Sequence, residues 1–165
     1  MKKLFTVFMI LIAVSFLYVE KGNAGDPMEQ AKAQWDMMQA EKYQESWAHF
    51  PGTGDFYKGT EPHGMLLTTY VNKTADDALK SGAKELPKGS ILIKENYMPD
   101  KKLGAITTMH KTGEGKDDWF WVKYNPDGSL AKKGDMALAG KPGGCIGCHA
   151  ASTSGVHNIM TGLPE

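Results

Sequence analysis

The chain contains no arginine: all 19 of its basic residues are lysines. Arginine is the usual two-pronged partner of carboxylates, so an anionic group bound here must be met by lysine, tryptophan or tyrosine. Cysteine is nearly as scarce, with two in 165 residues, both inside one five-residue stretch. A disulfide framework is therefore not what holds the domain together. There is no internal repeat, no low-complexity tract and no surplus of either charge, the formal net charge being zero. Nothing in that balance points to nucleic acid or to an anionic membrane as partner.

There is one long apolar run, and it lies at the start. Met1-Lys2-Lys3 is a short basic opening, Leu4 to Val19 is almost unbroken hydrocarbon, and Gly22-Asn23-Ala24 supplies small residues for a peptidase. That is the pattern of a secretory signal peptide cleaved after Ala24. The alternative is a membrane anchor, but the run is short for a span and no basic stop-transfer cluster follows it. Residues 1–24 are thus expected to be a signal peptide. Residues 25–165 are expected to form a single exported domain, periplasmic and free of the membrane after cleavage.

Asp26-Pro27 reads as an N-cap with proline in the first helical position. Met28, Ala31, Trp35 and Met38 recur at helical spacing, so a helix is expected from Pro27 to Ser46. Its Trp and Met stripe reads as core more readily than as a cofactor contact. A Gly- and Pro-rich loop follows from Phe50 to Gly64. Strands are expected over Met65–Asn72, Ser90–Tyr97, Leu103–Lys111 and Trp119–Tyr124, with a short returning strand near Leu130. A short helix, Ala75 to Ser81, is capped by Asn72 or Thr74 and ended by Gly82. Connections this short suit antiparallel pairing. The expected class is α+β: an N-terminal helix, a mainly antiparallel sheet, and a C-terminal segment carrying the chemistry.

That segment holds Cys145-Ile146-Gly147-Cys148-His149, the spacing of c-type haem attachment. Two thiols separated by two residues can each add to a vinyl group of one haem, and the next residue then presents an imidazole to the iron. The tether also holds that imidazole at high effective concentration. A thioredoxin-like site lacks the βαβ setting here. A zinc site assembled from Cys145, Cys148, His149 and His157 requires adjacent Cys and His ligands on one tetrahedral ion. A local disulfide leaves His149 without a role. One covalent haem c, with His149 on the iron, is the expected cofactor.

The group opposite His149 stays open among His63, His110, His157, Met65, Met109, Met160 and an empty face. His63, in the turn Glu61-Pro62-His63-Gly64, stands out as a sixth ligand. In Ser90–Tyr97, alternation puts Leu92, Lys94 and Asn96 on one face and Ile91, Ile93, Glu95 and Tyr97 on the other. Each face carries a charge in mid-strand, which reads either as an edge-strand Lys–Glu pairing or as one face looking into a haem pocket. Trp119 and Trp121, with Phe120 between them, form either a wall against the porphyrin or plain core.

Taken in order, Pro-Gly-Thr-Gly, Phe-Tyr-Lys-Gly-Thr-Glu-Pro-His-Gly, Thr-Tyr-Val-Asn, Leu-Pro-Lys-Gly-Ser-Ile-Leu-Ile-Lys-Glu-Asn, Asp-Trp-Phe-Trp and Gly-Cys-Ile-Gly-Cys-His resemble the cytochrome P-460 family from about Trp47 to His149. The resemblance implies a mainly antiparallel β fold, often a homodimer, around a five-coordinate haem c. The name-giving members oxidise hydroxylamine and cross-link a lysine to the porphyrin. The related beta-type cytochromes c-prime lack that link and bind nitric oxide or carbon monoxide in an aromatic-capped pocket. Lys94 matches the cross-linking lysine. The missing arginine and the presence of His63 depart from the family pattern. Two functions follow as expectations. One is an open site for a small redox-active or gaseous ligand, where Lys94 and Glu95 manage protons. The other is a six-coordinate carrier that passes electrons to a soluble partner without catalysis.

Overall fold

A computed structural model of the chain describes residues 25–152 and 156–159. The expected leader and Met160 lie outside the described residues. The chain opens with helix α1 (Pro27–Ala40) and the single-turn α2 (Tyr43–Ser46). Strands β1 (Ala48–His49), β2 (Tyr57–Lys58) and β3 (Leu66–Val71) come next, followed by α3 (Lys73–Lys80). Strands β4 (Ile91–Tyr97), β5 (Leu103–Lys111) and β6 (Trp119–Tyr124) build the centre. The short pieces β7 (Lys132–Lys133), β8 (Met136–Ala137) and β9 (Ala139–Gly140) lead into α4 (Gly143–Ala150).

One seven-stranded sheet runs β1-β3-β4-β5-β6-β9, with β2 also on the outer edge of β3. Every pairing in it is antiparallel. The N-terminal helix and the antiparallel sheet are as expected, and the Leu103–Lys111 and Trp119–Tyr124 boundaries coincide with β5 and β6. The helix expected to reach Ser46 stops earlier. Lys42 adopts a left-handed conformation (φ 48°), which lets Tyr43 turn into the core at 3 % exposure. Ser46 Oγ donates to the Glu41 carbonyl at 2.6 Å, satisfying an acceptor left at that helix end. The returning strand near Leu130 is a single bridge to Tyr124.

The sheet buries both faces. On one, α1 delivers Ala31 and Met38, with Trp35 beside them, to Ile91, Ile93, Ile106, Phe120 and Tyr124. The helix stripe is therefore core, with Met28 left exposed at its start. On the other face, Leu92, Met109, Trp119 and Trp121 pack with Val71, Ala75 and Leu86, and with Cys145 and Ile146 from α4. A strand covered on both sides loses the polar alternation of a half-exposed one, which is why WFWVKY is nearly all bulky. Among the described residues, no helix is long and apolar enough to cross a membrane.

Candidate functional site

Proline at the N-cap of α4 starts a helix whose residues 145, 148 and 149 stand at i, i+3 and i+4, on one face. Cys145, Cys148 and His149 all line a cleft of about 630 Å³ between α4, the 57–65 loop and the second face of the sheet. That volume falls within the roughly 300–1,000 Å³ of small-molecule and cofactor pockets. Cys145 is half-buried, with its thiol pKa pushed up by burial, and Cys148 is exposed.

His149 is buried. Its Nδ1 lies 2.8 Å from the backbone carbonyl of Asn158. A carbonyl can only accept, so Nδ1 carries the proton and Nε2 keeps its lone pair. Burial lowers the pKa of His149 and favours the neutral ring. Trp121 stands against it, ring centres 4.6 Å apart. This is the arrangement of an imidazole oriented as a metal ligand through its other nitrogen.

His63 enters the cleft from the opposite loop. Its Nδ1 is 2.9 Å from Asn96 Oδ1. The Asn96 amide nitrogen donates to the carbonyls of Lys94 and Ala105 and to Thr107 Oγ1, which fixes Oδ1 as the acceptor facing His63. His63 therefore also carries its proton on Nδ1 and keeps Nε2 free. Burial first, and then the Lys94 charge, lower its pKa to about 4. The ring centres of His63 and His149 are 6.2 Å apart. Gly64 allows the close approach: a Cβ there would sit 2.6 Å from Tyr97 N and 2.7 Å from Tyr97 O.

Lys94 lines the same cleft beside Thr69 and Thr107. Burial alone lowers its pKa to about 8. Alternation along β4 puts Lys94 and Asn96 on one face, as the sequence indicates, and the packing of the sheet makes that face the one at the cleft. Glu95 is brought elsewhere. It is fully buried on the α1 side of the sheet and accepts from Tyr43 Oη at 2.7 Å, Gln44 Nε2 at 2.5 Å and Tyr97 Oη at 2.6 Å. The expectation that Glu95 handles protons beside Lys94 is corrected by this placement, since adjacent residues on a strand face opposite ways. The edge-strand reading is corrected too, because β4 is flanked by β3 and β5.

Of the other candidate ligands, Met65 and Met109 line the cleft. His110 lies on the α1 side, in a small recess with Gln34 and Phe120. His157 pairs with Asp117 at 2.9 Å. Among the described residues, no three His, Cys, Asp or Glu side chains converge on one metal-sized site, so the zinc set drawn from Cys145, Cys148, His149 and His157 is not assembled. The sequence reading missed Asn96 and Asn158, the two groups that orient the histidines. An asparagine in a strand next to a charged residue was the available signal for the first.

The donor set suits a haem: two thiols on the cleft face of one helix turn, and a neutral, oriented imidazole beside them. No curated protein matches the chain. Residues 41–156, which take in the whole sheet and the Cys145–His149 turn, match the family model described as cytochrome P-460, and the chain accordingly belongs to the cytochrome P-460 family, with a haem-related redox role in general.

Proposed function

We propose that this is a periplasmic monohaem c-type cytochrome, residues 25–165 forming one domain after loss of residues 1–24. Its haem is held by thioethers to Cys145 and Cys148 and ligated by His149. The observation that carries this reading is the His149 ring, pinned through Nδ1 to the Asn158 carbonyl with Nε2 left for a metal, on the same helix face as both cysteines. Haem would supply an iron able to change oxidation state and to take a small redox-active or gaseous ligand, of the nitric oxide or hydroxylamine class.

The protein's own residues divide the remaining work. Trp121 walls the ring of His149. Asn96 orients His63, which stays neutral at pH 7 and can donate no proton from Nε2. Lys94, with a pKa near 8, exists in both its forms around neutral pH. As an ammonium it can stabilise negative charge on a bound ligand or return a proton; as an amine it is the nucleophile a bond to the porphyrin requires. Electrons would pass to a soluble redox protein, and a homodimer is the assembly the family resemblance suggests.

A second reading has a specific observation in its favour. A metal held by two imidazole nitrogens at roughly 2.0–2.1 Å each keeps the ring centres on the order of 6 Å apart, close to the 6.2 Å between His63 and His149. That reading makes the protein a six-coordinate electron carrier. One experiment separates the two: the absorption spectrum of the reduced protein, with and without carbon monoxide. Ready carbon monoxide binding supports an open site, and a low-spin spectrum indifferent to it supports the carrier. Intact mass reports the covalent haem and any Lys94 bond. A colourless protein from a host competent to attach haem would sink both.

A further inference from the structure

We infer that Asp117 is a positioning residue for His149, acting through Asn158 from outside the cleft. The inference rests on the haem reading above. The carbonyl that accepts from His149 Nδ1 belongs to Asn158, which is 5 % exposed and adopts a left-handed conformation, φ 62°. Asparagine is among the few non-glycine residues that visit this region readily. The turn it makes aims the carbonyl back at α4.

That turn is held from the β5–β6 loop. One oxygen of Asp117, Oδ1, accepts from His157 Nε2 at 2.9 Å and from Asn158 Nδ2 at 3.3 Å. The same Asn158 amide donates to the Lys116 carbonyl at 3.3 Å, and the His157 backbone N–H donates to the Lys84 carbonyl at 2.9 Å. Residues 157 and 158 are thus tied to two loops, and among the described residues Asp117 is the one side chain that grips both. Its carboxylate is 65 % exposed and does not line the cleft.

Exposed pairs of this kind contribute little to stability. A bond from the outer nitrogen of a ligating histidine, in contrast, sets its orientation and basicity. Removing Asp117 therefore leaves the fold while loosening the carbonyl that orients His149. The imidazole then gives less electron density to the iron, which favours the reduced state.

The test uses the mature, haem-loaded protein, its Asp117→Ala and Asn158→Gly variants, and the pair combined. Asn158→Gly keeps the carbonyl and the left-handed backbone but removes the amide held by Asp117 and by the Lys116 carbonyl, leaving Asp117 its bond to His157. Each variant is expected to raise the midpoint potential and to speed solvent exchange of the His149 Nδ1 proton in the reduced protein by up to about tenfold, the equivalent of about 1.4 kcal/mol for one weakened hydrogen bond. The combined variant is expected to change both by less than the sum of the single changes, because the two residues share one contact, and the urea midpoint is expected to hold. A coloured wild type whose variants keep its potential and proton exchange overturns this inference alone. A large loss of stability in Asp117→Ala also overturns it, by making the residue structural. A wild type without haem overturns this and the haem reading together.

Discussion

His63 and His149 face each other across the cleft with ring centres 6.2 Å apart and planes crossing at 88°, each with Nδ1 bonded to an amide oxygen outside the gap. The two Nε2 atoms are the unprotonated ones. On the haem reading proposed above, His63 would stand on the side of the iron away from His149, where an incoming ligand would meet it. His63→Ala is expected to speed carbon monoxide binding to the reduced protein by roughly tenfold or more, the equivalent of about 1.4 kcal/mol. Stopped-flow mixing measures this. An unchanged rate would mean that ligands approach from elsewhere.

Lys94 makes stability depend on pH with a defined sign. Burial lowers its pKa from 10.5 to about 8, so between those values the unfolded chain binds the extra proton. Stability contributed by this group therefore rises with pH across that window, and the full penalty, on the order of 3 kcal/mol, applies below pH 8. In protein whose mass shows no Lys94–porphyrin bond, Lys94→Met is expected to be the more stable form at pH 7. Its advantage should shrink between pH 8 and 10.5. Urea titrations of both proteins at several pH values check this, and a gap independent of pH would refute the burial argument.

Glu95 is expected to matter for folding and not for the cleft. Glu95→Ala strands three donors, Tyr43, Gln44 and Tyr97. At about 1–3 kcal/mol for each buried group left unpaired, the loss should reach roughly 3 kcal/mol or more. Glu95→Gln should cost less, since an amide oxygen still accepts. In both variants the carbon monoxide complex should keep the wild-type spectrum and pH profile. A changed pH profile in Glu95→Gln would return the residue to the proton path.

Gly64 is a steric test of the His63 turn. A Cβ at this position would meet the backbone of Asn96 and Tyr97 at 2.6–2.9 Å. Strand backbone at the sheet centre cannot yield cheaply, so Gly64→Ala is expected to cost about 1–3 kcal/mol. It should also push the 63–64 turn away from Asn96. The expected signature is a lowered melting temperature together with a spectral change in the same direction as His63→Ala. A lowered melting temperature alone would mean that the turn relaxes without moving the histidine.

Much of this architecture is legible along the chain because local rules suffice. Asp26 and Pro27 start α1, with Asp26 Oδ1 accepting from Met28 N–H at 3.0 Å. Asn72 caps α3 by accepting from Ala75 N–H at 3.0 Å. Runs of β-branched and aromatic residues bounded by turn residues mark β4 to β6. The two-residue strands β1, β2, β7, β8 and β9 are illegible for the opposite reason: pieces so short carry no period, and only a neighbouring strand makes them strands. The break at Lys42 is of the same kind. Nothing local forbids the helix from continuing, and the burial of Tyr43 against Tyr70, ring centres 5.3 Å apart, decides it.

The cleft divides along the same line. By itself, the sequence carried the pattern on which the proposed haem attachment rests, because Cys145, Cys148 and His149 are close in the chain and their spacing survives any fold. It also determined that Lys94 and Glu95 part to opposite faces, since a strand alternates. It did not determine which face holds the cleft. Only the tertiary structure decided that Lys94 looks at His149 while Glu95 is locked among tyrosines, that His63 stands opposite His149, and that Asn96 and Asn158 choose the tautomers. Those relations join residues from 9 positions apart (His149 and Asn158) to 86 (His63 and His149), and contacts of that range are set by how the whole sheet packs, a quantity no local pattern encodes.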